Sequence, residues 1–172
     1  MKNKFWVLVL LIAFAKSAQA QIKYVGKVEI GYLKYKNRLL DVDPGVDWRG
    51  YNLNNKQSGL SISSVNGISL LKERLNTGIG VGYLNFQGIS GISVFSDIEY
   101  LPFNTKLTPI FNLRLGFTHI WNQYDNGTAT ALGDFGLGLN YRLIDKLSVY
   151  IRSGIALTQQ ASFTPINFGI RF

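Results

Sequence analysis

The 172-residue chain has no cysteine and a single histidine. Without cysteine there can be no disulfide, no thiolate metal site and no acylated lipoprotein anchor. Also missing is any cluster of basic charge. Basic residues are scattered singly, which excludes the footprint of a nucleic-acid binder. Apart from the N-terminus no stretch of about 20 apolar residues occurs, so the chain cannot insert in a membrane by helices. The other backbone solution that leaves no N–H or C=O unpaired in lipid is a closed β-barrel.

What is present begins with a secretion signal. Lys2 and Lys4 give a basic start, Phe5 to Ala15 is unbroken apolar sequence, and Ala18-Gln19-Ala20 is a small-x-small cleavage site. Residues 1–20 are therefore expected to be removed as a signal peptide, leaving one domain over 21–172. Removing Lys2, Lys4 and Lys16 leaves fifteen basic residues against ten acids, a mild net charge of +5.

Beyond residue 21 the apolar residues recur with a period near 2, the signature of strands half exposed to an apolar phase. Eight segments are predicted, over about 22–35, 57–70, 76–86, 90–101, 109–121, 132–143, 146–158 and the terminal stretch ending at Phe172. Lengths of roughly 10–13 suit a tilted crossing of a bilayer. The connections alternate between long (36–56, 122–131) and short (71–75, 102–108, Ile144-Asp145). The exceptions on the long side are Gln87–Ile89 and 159–162, which are brief. In a barrel with both termini periplasmic the long loops face outside.

Alternation alone does not say which face is wet, and a soluble lipocalin-like lipid carrier shares the period. The composition of the polar face decides. It carries Gly78, Gly80, Gly82, Gly136, Gly138, Gly154 and Gly169 with a few charges, which suits a crowded lumen better than a water-bathed surface. Lys27, Glu29, Asp97, Glu99, Arg114, Arg142, Arg152 and Arg171 are expected to share that lumen as a charge network, since buried charges persist only when paired. Aromatics fall near strand ends in two sets. Tyr24, Tyr100, Tyr141 and Phe172 are expected toward the periplasm, and Tyr32, Tyr83, Trp121 and Phe135 toward the exterior, as two interfacial belts.

The signal, the eight alternating strands and the terminal aromatic together resemble the small OmpX/OmpA-type outer-membrane β-barrels. The turn Tyr100-Leu101-Pro102-Phe103 and the segment His119-Ile120-Trp121-Asn122-Gln123-Tyr124 are similar to outer-membrane β-barrel domain proteins of Bacteroidota. The resemblance covers 21–172 and implies an eight-stranded antiparallel transmembrane barrel in the outer membrane of a Gram-negative bacterium. It implies that Phe168, Ile170 and Phe172 form the assembly signal presented to the barrel-assembly machinery during insertion. It also implies contact with outer-membrane lipid and lipopolysaccharide.

Some barrels of this size modify lipid A, as acyltransferases or deacylases with His and Ser at the outer rim. This is the alternative function. His119 lies at the correct end of its strand, but its parity puts it with Phe117 and Trp121 on the lipid face, and the deacylase-type Ser two residues on is here Trp121. A base also needs a nucleophile within hydrogen-bond reach. No catalytic residue is therefore assigned.

The run Asp41-Val42-Asp43-Pro44-Gly45-Val46-Asp47 departs from a calcium loop at Gly45 and Asn52, and reads as Asx-type turns around Pro-Gly. Neither a metal nor a cofactor is expected. An eight-stranded barrel is only wide enough for its own side chains, so the lumen charges read as a plug rather than a selectivity filter. The remaining surface is extracellular. Loop 36–56 holds Arg38, Asp47, Trp48, Arg49 and Tyr51, of types that anchor interfaces, and could bind an envelope protein partner. The expected role is non-enzymatic: structural, or interaction through extracellular loops.

Overall fold

The computed structural model describes residues 23–39, 57–121, 128–158 and 161–172. The signal segment and the Asp41–Asp47 run lie outside them. Eight strands follow in order: β1 Lys23–Arg38, β2 Gly59–Leu70, β3 Leu75–Phe86, β4 Ile89–Tyr100, β5 Leu107–Ile120, β6 Thr128–Ile144, β7 Leu147–Thr158 and β8 Ala161–Arg171. Each pairs antiparallel with the next, and β8 returns to β1 to close the barrel. Closure leaves no strand edge unpaired, which is what lipid requires. No helix among the described residues is long and apolar enough to cross a membrane; the strands do so.

Two strands run further than their sequence period suggests. β6 begins at Thr128, inside the Gly/Asn/Asp/Thr-rich stretch expected as loop, because Thr128 to Ala131 continue the ladder with β5 from Ile120 to Phe117. Small and β-branched residues there fit a strand although they carry little hydrophobic signal. β1 extends to Arg38 past a register shift between Tyr35 and Asn37. A bulge of this kind inverts the parity downstream and hides the strand end from a period-2 reading.

The outer skin is apolar. Ile79 is 68% exposed and Phe117 72%, and the other large outward residues of all eight strands follow them. Fully burying such a side chain is worth about 1.5–3 kcal/mol, so this surface is stable in acyl chains and not in water. The aromatics expected in the two belts, from Tyr24 to Phe172, all point outward.

Inside, small residues and long ones complement each other. Gly31, Ser61, Ser63, Gly67, Gly78 and Gly82 line the β1–β3 wall, while β5 and β7 project Arg114, Tyr150 and Arg152. Gly169 shows why a side chain is missing: a Cβ there would stand 2.3 Å from Cζ of Tyr150. On the outer face Gly26 lies under the ring of Phe172, whose Cε2 would be 2.4 Å from an added Cβ. The β3–β4 turn is two residues, Gln87 and Gly88, with φ of 55° and 101°, the positive pair that matches hairpin twist. The β2–β3 turn is strained: Leu71, Lys72 and Glu73 hold φ of 52°, 56° and 68° in succession. Left-handed backbone costs roughly 1–2 kcal/mol per L-residue.

Candidate functional site

The lumen holds two chemically distinct layers. The first is a charge network built from the inward parities of six strands. Lys27 and Glu29 are two apart on β1, as are Asp97 and Glu99 on β4, so each pair points inward together. Arg114 is the register partner of Asp97 on one side and of Asp134 on the other, which makes the three immediate cross-strand neighbours.

Glu29 is the hub. It accepts from Nη1 and Nη2 of Arg114 at 2.8 and 3.1 Å, from Nε and Nη2 of Arg152 at 3.0 and 2.9 Å, and from the Tyr150 hydroxyl at 3.1 Å. Asp97 accepts from Lys27, from Arg114 Nε at 2.7 Å and from Asn112 at 3.1 Å. Arg152 reaches Asp134 with Nη1 at 3.0 Å and Nη2 at 2.8 Å. Glu99 pairs with Lys27 at 3.3 Å and with Arg171 Nη2 at 2.5 Å, and accepts from Asn76 at 2.9 Å. Arg171 donates its Nη1 to Asn140 at 2.9 Å. Four acids thus meet four bases, all buried, and every carboxylate takes two or more donors. Two guanidiniums also cover rings: Arg114 lies 4.9 Å from the centroid of Phe95, and Arg171 5.3 Å from that of Tyr150.

Seven of the eight residues expected in the lumen from parity meet here. Arg142 does not. It bonds Asn104 and lies 3.9 Å from Glu73 at the mouth of the barrel, because its strand runs out of the lumen two residues later. Asp134 belongs to the network and stands outside the set expected from the sequence, although it shares the parity of Gly136.

The second layer is apolar and corrects the expectation of a lumen faced with glycine and charge throughout. Toward the end of the barrel where 40–56 and 122–127 connect strands, Leu33, Leu84, Phe86, Ile89, Ile120 and Phe163 pack together with Tyr35 against them. The Phe163 ring lies 5.3 Å from Phe86 and meets Tyr35 edge-on at 6.0 Å. Near strand ends both parities are apolar, so alternation does not distinguish the inner face there. Between the layers is a cavity of about 50 Å³, bordered by Glu29, Arg114, Asp134 and Arg152 on one side and Leu33 and Leu84 on the other. That is room for one or a few waters at most.

His119 lies on the outer face, opposite Ile92, and its ring packs edge-on against Trp121 at 5.3 Å. His119→Ala is expected to leave the lipid A of a producing strain unchanged by mass spectrometry; loss of an acyl modification would assign chemistry to this histidine. Phe168, Ile170 and Phe172 point outward. Phe172 exchanges both backbone hydrogen bonds with Gly26, at 2.8 and 2.9 Å, so the seam is sewn to its end. Of the interaction-loop residues, Arg38 ends β1, and Asp47, Trp48, Arg49 and Tyr51 lie outside the described residues.

No protein-family model matches the chain, and no curated protein matches it. Solved structures do. Neisserial surface protein A is similar with a TM-score of 0.61 at 11% identity, over 87% of this chain and 97% of that one. The N-terminal β-barrel domain of Pseudomonas aeruginosa OprF is similar with a TM-score of 0.53 at 15% identity, over 88% of this chain and 100% of that one. Fold and outer surface together define a small transmembrane β-barrel of the outer-membrane type. More narrowly, its fold is the closed eight-stranded antiparallel barrel seen in those small outer-membrane proteins.

Proposed function

We propose that this barrel is a non-enzymatic component of the cell envelope that works through its long extracellular segments, in contact with lipopolysaccharide and an envelope protein partner. The filled lumen carries this reading. A neutral ion-pair layer and an apolar layer occupy the interior, and all four carboxylates of the first are engaged by donors within the lumen. That leaves the surface beyond the strands for recognition, where Arg38, Asp47, Trp48, Arg49 and Tyr51 supply the residue types that dominate binding energy. Phe168, Ile170 and Phe172 serve insertion by the barrel-assembly machinery and not the mature role.

The test replaces 40–56 with a short Gly-Ser linker and compares pull-downs from solubilised outer membranes. The shortened barrel is expected to keep its heat-modifiable migration on gels and to lose its co-purifying envelope proteins. An unchanged pull-down from a folded deletion variant would refute the role of this loop.

A further inference from the structure

The charges of the lumen cancel, so the excess positive charge sits elsewhere. At the end of the barrel with the short turns, the side chains of Lys23, Lys72, Arg74, Lys106, Arg142 and Lys146 meet only the acidic side chains of Glu73 and Asp145 among the described residues, a net side-chain charge of +4. All but Arg142 and Glu73, which are half-buried, are exposed. The strained turn 71–74 holds Lys72 and Glu73 at this rim.

A cavity of about 460 Å³ opens here. Arg171, Ser148 and Asn140 line it within the lumen mouth, and Lys23, Arg142 and Lys146 line it nearer the rim. The size lies within the roughly 300–1,000 Å³ of ordinary ligand sites. Its wall is apolar where Leu101, Ile144 and Phe172 contribute.

Position adds a second constraint. Tyr24, Tyr141, Ile144 and Phe172 point outward beside this rim, where acyl chains give way to water. The Lys106 ammonium lies 5.3 Å from the Tyr141 ring centroid, with its charge at the same boundary. Glu73 is shared, at 2.5 Å from Lys23 and 3.9 Å from Arg142, in a partly exposed pair of the kind that contributes little and exchanges readily.

We infer that this rim and its vestibule bind the phosphate headgroup of anionic phospholipid from the leaflet at the short-turn end. The phosphate meets Lys23, Arg142 and Lys146, and the acyl chains run down the outer face along Ile144, Tyr24 and Phe172. A zwitterionic headgroup brings its own ammonium into a positive rim and is disfavoured there. The inference is independent of the role of the long loops.

The experiment refolds the full barrel in detergent with equal amounts of phosphatidylglycerol and phosphatidylethanolamine, then washes it and quantifies retained lipid by mass spectrometry. Phosphatidylglycerol is expected to be enriched at least about fivefold, the equivalent of one basic residue engaging the headgroup, and the enrichment should fall with added salt. The triple variant Lys23→Gln, Arg142→Gln, Lys146→Gln should lose it. Equal retention of both lipids, or enrichment that survives in the variant, overturns the proposal. So does full displacement of the lipid by millimolar glycerol 3-phosphate, which would make the vestibule a site for free phosphate esters. If the triple variant does not fold, the exposed pair Lys23→Gln and Lys146→Gln replaces it: reduced enrichment supports the proposal and unchanged enrichment overturns it.

Discussion

Replacing Glu29 with alanine is expected to lower the unfolding free energy of the barrel by about 3–5 kcal/mol, the scale of breaking a buried ion pair from one side. Glu29 takes donors from Arg114, Arg152 and Tyr150, on strands that are not its neighbours in the barrel. Without it, four buried bases face three acids, and two guanidiniums lose half of their acceptors. The loss is read from urea titrations of intrinsic fluorescence in lipid vesicles. The double variant Glu29→Gln with Arg114→Met should recover most of it, because Asp97 keeps Lys27 and Arg152 keeps Asp134, and the harm lies in the uncompensated charge rather than in the missing bond. A change below about 1 kcal/mol for Glu29→Ala, the scale of an exposed pair, would show that water reaches the network and that it is no plug.

Phe163→Ala should cost about 3–5 kcal/mol as well, by a different route. The ring is fully buried between Phe86 and Tyr35, so its removal opens a cavity in the apolar layer. Conductance separates the two layers. The native barrel is expected to show no steady current in planar bilayers, and Phe163→Ala none either, since the ion-pair layer still fills the cross-section. Combining Phe163→Ala with Arg152→Ala should produce openings. A stable open channel in the native protein would contradict the filled lumen outright, and one in Phe163→Ala alone would show that the charge layer leaks.

Much of this was legible in the sequence, for one physical reason. A strand has side chains on alternate faces, and a bilayer outside with a crowded lumen inside makes those faces chemically unlike. Hence β3 could be read from Ile79, Val81 and Tyr83 against Gly78, Gly80 and Gly82. The method fails where the two faces become alike. Leu84 and Phe86 turn inward and are as apolar as Tyr83 outside, so the second layer was hidden. It fails again where context outweighs parity. Arg142 has the inward parity but lies beyond the lumen, and Asp134 has the same parity but adjoins a stretch whose composition reads as loop. No sequence pattern indicates that Arg152 reaches across to Glu29, because that contact depends on barrel diameter.

The seam between β1 and β8 joins the first described strand to the last, with Lys27 beside Arg171 and Tyr32 beside Ile166. Because ribosomes work from one end, β1 must wait for all seven later strands before it finds its second neighbour. Until then two open edges and an uncovered greasy flank are offered to water. A need to shield those edges before closure is thus set by the topology itself.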